Sequence, residues 1–206
     1  MKGLLGMKAA SFEGQLRRKR RRNSSATKQN TSSIYFATEQ NKKIQLLLTE
    51  NKDTEIVFSD RVLRLDKNMK LVNYQLIITT KQFYLFKDKS GKFKESGLFK
   101  NIESICLSHQ SDNFMLIKIK GSKKSQDVLI CSRRKIQISQ VLVQQTQKET
   151  SQFPLTITDK FYFNHQTKAG QERFMIVFSR IEPFGVQTNI YPDKPKDDQK
   201  KKKKKV

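Results

Sequence analysis

Between residues 57 and 131 the chain alternates short β-rich runs with turn signals about every 8–12 residues, the rhythm of an antiparallel barrel or sandwich. VFSDRVLRLD at 57–66 is the first run, with Val57, Val62, Leu63 and Leu65 as candidate core. The polar turn KNMK follows, then LVNYQLIIT (71–79) and QFYLFK (82–87), rich in β-branched and aromatic residues. DKSGK turns the chain at Gly91, and KESGLFK, IESICLS (102–108), NFMLIKI (113–119) and DVLIC (127–131) complete the ladder. Residues 133–148 break it. Ile138, Val141, Leu142 and Gln145 fall at helical spacing behind Ser132, a candidate N-cap, and Pro154 stops the segment. A helix in that place closes one end of an open barrel. Residues 155–163 and 173–179 predict two further strands, and the pattern fades after Pro183. Ahead of the ladder, Ile44, Leu47 and Leu48 put one apolar stripe on a short helix over 39–50. The expected fold is therefore mainly β with helices: an antiparallel barrel or sandwich, a capping C-terminal helix and extra closing strands.

Charge is the second constraint. Net charge is +23, and more than half of it lies in the ends. The first thirty residues hold nine Lys/Arg against one Glu, and residues 194–206 hold eight Lys against two Asp, leaving +9 for 31–193. The run Arg17, Arg18, Lys19, Arg20, Arg21 and Arg22 resists packing because like charges repel. We read 1–33 as a flexible basic arm, 34–182 as the β domain and 183–206 as a disordered Lys-rich tail. Hydrophobic content of 35 % fits one core diluted by polar tails.

Several function classes drop out. No phosphate-binding glycine loop, dinucleotide motif or metalloprotease helix motif occurs. Cys106 and Cys131 read as reduced, buried thiols, and with only His109 and His165 beside them no four-ligand metal set forms. Asp60 and Asp112 fall at turn-like positions, where a carboxylate caps backbone N–H groups. The expectation is a non-catalytic protein without cofactor, metal or small-molecule substrate. No stretch approaches the roughly 18 apolar residues of a membrane span, and the N-terminus lacks a signal-peptide core. A cytoplasmic protein, peripheral to a membrane or on the cytoskeleton, is expected.

Four segments carry a family resemblance. They are KRRRNSS (19–25); VFSDRVLRLDKNMKLVNYQLIITTKQFYLF (57–86); LFKNIESICLSHQSDNFMLIKI (98–119), with Ser111-Asp112-Asn113-Phe114; and the helix at 133–148 with FPLTITDKFYFN and RFMIVFSR. In this order they resemble the tail homology domain of class I myosins, a lipid-binding module on a pleckstrin-homology-like barrel. Nothing in the 206 residues resembles the motor or its calmodulin-binding helices, so a tail module without force generation is implied. The resemblance implies binding to acidic phospholipids, phosphoinositides included, with actin as a further partner in some members. It points to Arg61, Arg64, Lys67 and Lys70 on the first strand and its turn as the lipid or anion site. Tyr74 stands where the family places a basic residue, which implies an electrostatic binder of acidic surfaces rather than a selective headgroup reader.

Further candidate cations are Lys92, Lys94, Lys118, Lys120, Lys123, Lys124, Arg133, Arg134 and Lys135. Each cation near an anionic leaflet contributes about 1 kcal/mol, so five or six suffice for reversible attachment. Two rivals use the same charge. A cytoskeletal protein could dock on an acidic filament, actin or a microtubule, in an axoneme among other places. Nucleic acid is the third reading, and it lacks the aromatic platforms of single-strand binders, because Phe83 and Tyr84 lie in a core strand.

Overall fold

The computed structural model describes residues 9–15, 42–53, 55–88, 90–120, 127–182 and 185–193. Its centre is an eight-stranded sheet in the order β5-β4-β3-β2-β8-β7-β6-β9, built from β2 (Ile56–Leu65), β3 (Leu71–Thr79), β4 (Gln82–Lys87), β5 (Phe93–Leu98), β6 (Ile102–Leu107), β7 (Phe114–Ile119), β8 (Val128–Cys131) and β9 (Leu155–Ile157). Neighbours pair antiparallel throughout, except that β9 runs parallel to β6. A four-stranded sheet, β1 (Ala10–Gln15), β12 (Gly185–Pro192), β11 (Gln171–Ile181) and β10 (Lys160–Gln166), lies beside it. α1 (Lys42–Glu50) and α2 (Lys135–Thr150) complete the fold.

The apolar runs of the sequence are continuous because most large-sheet strands are buried on both faces. Successive strand residues point to opposite sides. In β3, Leu76 and Ile78 enter the main core while Ile77 faces α1. In β4, Phe83 and Leu85 enter the main core, and Tyr84 and Phe86 join the α1 side. In β7, Met115 and Ile117 face the main core while Phe114 and Leu116 face the small sheet. Phe83 and Tyr84 are thus both packing residues, in two different clusters. The main core is closed by α2 through Ile138, Leu142 and Val143, which also rests on a 3-10 turn at Phe99–Asn101. The small sheet covers the second face with Phe161, Phe163, Phe174, Ile176 and Phe178. α1 buries Ile44 and Leu48, one turn apart, on the outside of β3 and β4.

The predicted sandwich with a capping helix and extra closing strands is what forms. It does not close into a barrel: β5 and β9 are the two edges of the large sheet. Several details correct the sequence reading. The segment 155–163 is two strands, because β9 leaves the large sheet's edge and β10 starts the small one. β1 lies inside the segment read as an arm, and β12 inside the segment read as patternless; each is held by pairing with the other, from Ala10↔Ile190 to Gln15↔Gly185. Neither alternates polar and apolar residues clearly, which is why periodicity missed them. Ser132 serves just ahead of the helix. Its hydroxyl accepts the Arg134 N–H at 3.0 Å, and α2 itself begins at Lys135. Asp60 is in the middle of β2 rather than in a turn. Cys106 and Cys131 are free thiols, and burial pushes Cys131 up to about 11. The basic run 17–22, Lys123, Lys124 and residues 194–206 lie outside the described residues.

Candidate functional site

Two turns of the large sheet emerge at the same end, and both are held by short-range backbone logic. In the β2–β3 turn, the Asp66 carboxylate accepts the N–H groups of Asn68 and Lys70, each at 2.9 Å. Partial burial pushes this carboxyl up, but those N–H groups and the Asn68 amide outweigh it and hold it below the usual range. The turn is tied from behind as well: the His165 ring of β10 bonds the Asp66 carbonyl at 2.9 Å through Nε2. Burial holds that imidazole below the usual histidine range. The β4–β5 turn reverses at Gly91, whose φ of +57° suits glycine, with its N–H donating to the Lys87 carbonyl at 3.0 Å.

Between the turns lies an open groove of about 370 Å³ lined by Val72, Asn73, Lys87, Asp88 and Ser90. Lys67 and Lys70 stand exposed on one turn, and Lys87 and Lys92 on the other. None of these four has a carboxylate partner among the described residues. The arginines differ. Arg61 donates from Nε to Asp88 at 3.1 Å while remaining 56 % exposed. Arg64 is buried and ion-paired with Glu95 of β5, its guanidinium 5.7 Å from the Tyr74 ring centre. Burial pushes the Glu95 carboxyl up, against the pull of Arg64 and Lys94.

The structure thus brings together Arg61, Lys67, Lys70 and Lys92 and takes Arg64 into the fold. Lys94 is exposed on β5, and Lys120 is exposed beyond β7, where Lys118 is half-buried. Arg133 is exposed ahead of α2. Arg134 is largely covered: it lies 3.8 Å from Asp60, stacks 4.6 Å from the Phe58 ring centre and donates to Gln137. Asp60 is pushed up by burial, with Arg134 opposing. Lys135 is buried against Asp112 at 3.0 Å. Asp112 also accepts the Phe114 N–H at 2.6 Å and the Ser108 hydroxyl, so the Ser-Asp-Asn-Phe stretch is a structural hub between the β6–β7 turn and α2. Sequence reading missed Lys87, which ends an apolar run and so reads as strand rather than rim. It also missed Asp88 and Glu95 as counter-ions, because only the cross-strand register reveals them. No group of three or more metal-ligating residues occurs among the described residues, and no described helix is long and apolar enough to cross a membrane.

Residues 20–206 match the family of unconventional myosin tails, described as actin- and lipid-binding. The Myosin IF heavy chain of Dictyostelium discoideum is 28 % identical over 144 residues, 66 % of this chain. The match spans only 13 % of that relative's length. Among solved structures, the C-terminal domain of an unknown protein from Leishmania infantum aligns with a TM-score of 0.41 at 14 % identity, covering 50 % of this chain and 92 % of that one. The hSac2 domain of human phosphoinositide phosphatase Sac2 aligns at 0.39 and 14 %, covering 58 % and 90 %. Likenesses this distant carry no weight for function.

Proposed function

The chain belongs to the unconventional myosin tail family, and from that premise we propose that it is a non-catalytic binding module whose lysine rim docks on anionic phospholipid. The carrying observation is that Lys67, Lys70, Lys87 and Lys92 converge from two turns at one end of the sheet with no carboxylate to neutralise them. The reading places the protein in the cytoplasm, peripheral to a membrane. Recognition is by charge density: Tyr74 is buried beneath Arg64, and both groove arginines already hold carboxylates.

Magnitude decides how the rim works. Four lysines at about 1 kcal/mol each give about 4 kcal/mol, a dissociation constant of about a millimolar. Stable attachment needs more cations, and the run Arg17, Arg18, Lys19, Arg20, Arg21 and Arg22 supplies them. Salt screens all of it. A second reading, docking on an acidic filament such as actin, is favoured by a separate feature. On β10 and β11, Tyr162 has the Lys160 ammonium 5.6 Å and the Arg173 guanidinium 4.9 Å from its ring centre, a cationic and aromatic surface apart from the groove.

Co-sedimentation of the full chain with anionic vesicles, neutral vesicles and F-actin, at low and physiological salt, tests both readings. Pelleting with anionic vesicles alone, weakened by salt and by replacing the four rim lysines with alanine, supports the first. Absence of pelleting with anionic vesicles at low salt overturns it. Pelleting with F-actin that is lost on replacing Lys160 and Arg173 supports the second.

A further inference from the structure

Arg64 stands on the inner face of β2, only 4 % exposed, opposite Val72 of the groove lining. Its guanidinium meets the carboxylate of Glu95, while its buried Nε–H has no hydrogen-bond partner. Glu95 reaches it from across the sheet, opposite Leu85 on β4. A buried arginine–carboxylate pair is a weak source of stability, since desolvating both charges offsets their attraction. The unused Nε–H is the kind of donor that a planar or tetrahedral oxyanion engages in bidentate fashion.

We propose that Arg64 is a phosphomonoester-binding arginine held shut by Glu95, and that this internal carboxylate makes the groove read charge density instead of a headgroup phosphate. The proposal rests on the lipid-docking reading and names what limits its specificity. A phosphate arriving at Arg64 must displace an anion already in place, so the exchange gains little. Arg61 with Asp88 repeats the arrangement at the surface. The rim lysines carry no such partner and answer to any anionic surface.

The test compares the full chain with Glu95→Gln and with the double variant Arg64→Gln/Glu95→Gln. The glutamine side chain keeps the shape and one oxygen for Arg64 while removing the charge. Two phosphatidylcholine vesicle types are matched in total anionic charge, one with phosphatidylserine and one with phosphatidylinositol bisphosphate. Soluble inositol trisphosphate, followed by calorimetry, separates a free headgroup from a lipid. The wild type is expected to bind both vesicles alike. Glu95→Gln is expected to prefer the phosphoinositide vesicles about tenfold, and the double variant to lose that preference. If Glu95→Gln does not melt cooperatively, Glu95→Asp, which withdraws the carboxylate by one methylene, is read in its place and shows the same preference more weakly. A wild type that already prefers phosphoinositide tenfold, or a Glu95 variant that gains equally on both vesicles, overturns the proposal. If no form binds any anionic vesicle, the docking reading itself fails. The soluble arm then decides alone: inositol trisphosphate binding by Glu95→Gln supports the closed site, and no binding overturns it.

Discussion

The seam where α2 meets the β6–β7 turn and the rim between the β2–β3 and β4–β5 turns use the same residue types to opposite ends. At the seam, Lys135 and Asp112 have side chains only 9 % and 3 % exposed, and each is the other's counter-ion. At the rim, Arg61 is 56 % exposed beside Asp88, and four lysines face solvent without counter-ions among the described residues. Burial sets the difference. A charge removed from water must be paired or it unfolds the protein, so the seam's ions are part of the architecture. A charge left in water costs little unpaired and stays available to a partner. In this molecule a basic residue's role follows from its depth more than from its identity.

The largest expected effect breaks the seam. Asp112→Ala strands the Lys135 ammonium and frees the Phe114 N–H and Ser108 hydroxyl, and should cost about 3–5 kcal/mol of stability in urea unfolding. Next comes the wall behind the rim. A Cβ on Gly97 would run into the fully buried Phe83 ring of β4, so Gly97→Ala should lose about 1–3 kcal/mol and lower the melting temperature. The rim should show the reverse profile. Lys67→Ala/Lys70→Ala should weaken binding to anionic vesicles by about 2 kcal/mol at low salt while unfolding free energy moves by less than about 0.5 kcal/mol. Smaller still is the rim's exposed pair: a double-mutant cycle on Arg61 and Asp88 should return about 0.2–1 kcal/mol.

One measurement sharpens the comparison in pH instead. His165 joins the small sheet to the Asp66 turn, and burial lowers its pKa from 6.5. The unfolded chain therefore takes up a proton at this site before the folded one does. The stability it contributes is full above 6.5, and is lost as pH falls below 6.5 and through the lower folded value. His165→Gln should flatten that part of the pH–stability curve.

Much of the fold was legible. β3 and β4 follow the apolar runs residue for residue, because strands buried on both faces carry unbroken apolar stretches that turn residues delimit. α2 is displaced by two residues from 133–148, since Ser132 organises a turn before the helix instead of its first residue. β1 and β12 were illegible: in β12, Thr188 and Asn189 are buried beside Val186 and Ile190, so polarity did not track burial. The site was half legible. Lys67, Lys70 and Lys92 sit in turns that their own residues announce. Arg64 carried the same sequence signature and ended inside the sheet.

By itself, then, the sequence determined the strand ladder, the helix that closes its core, the concentration of positive charge at the ends, and the likeness to myosin tails. Those are local or summed properties, set by residue type and spacing. Tertiary structure alone decided which cations share a rim and which are consumed. Lys67 and Lys92 come to one end because two hairpins turn in the same direction, and Arg64 meets Glu95, 31 residues away, across β3 and β4. Pairings of that kind follow from strand order and register, and the charge on a residue says nothing about either.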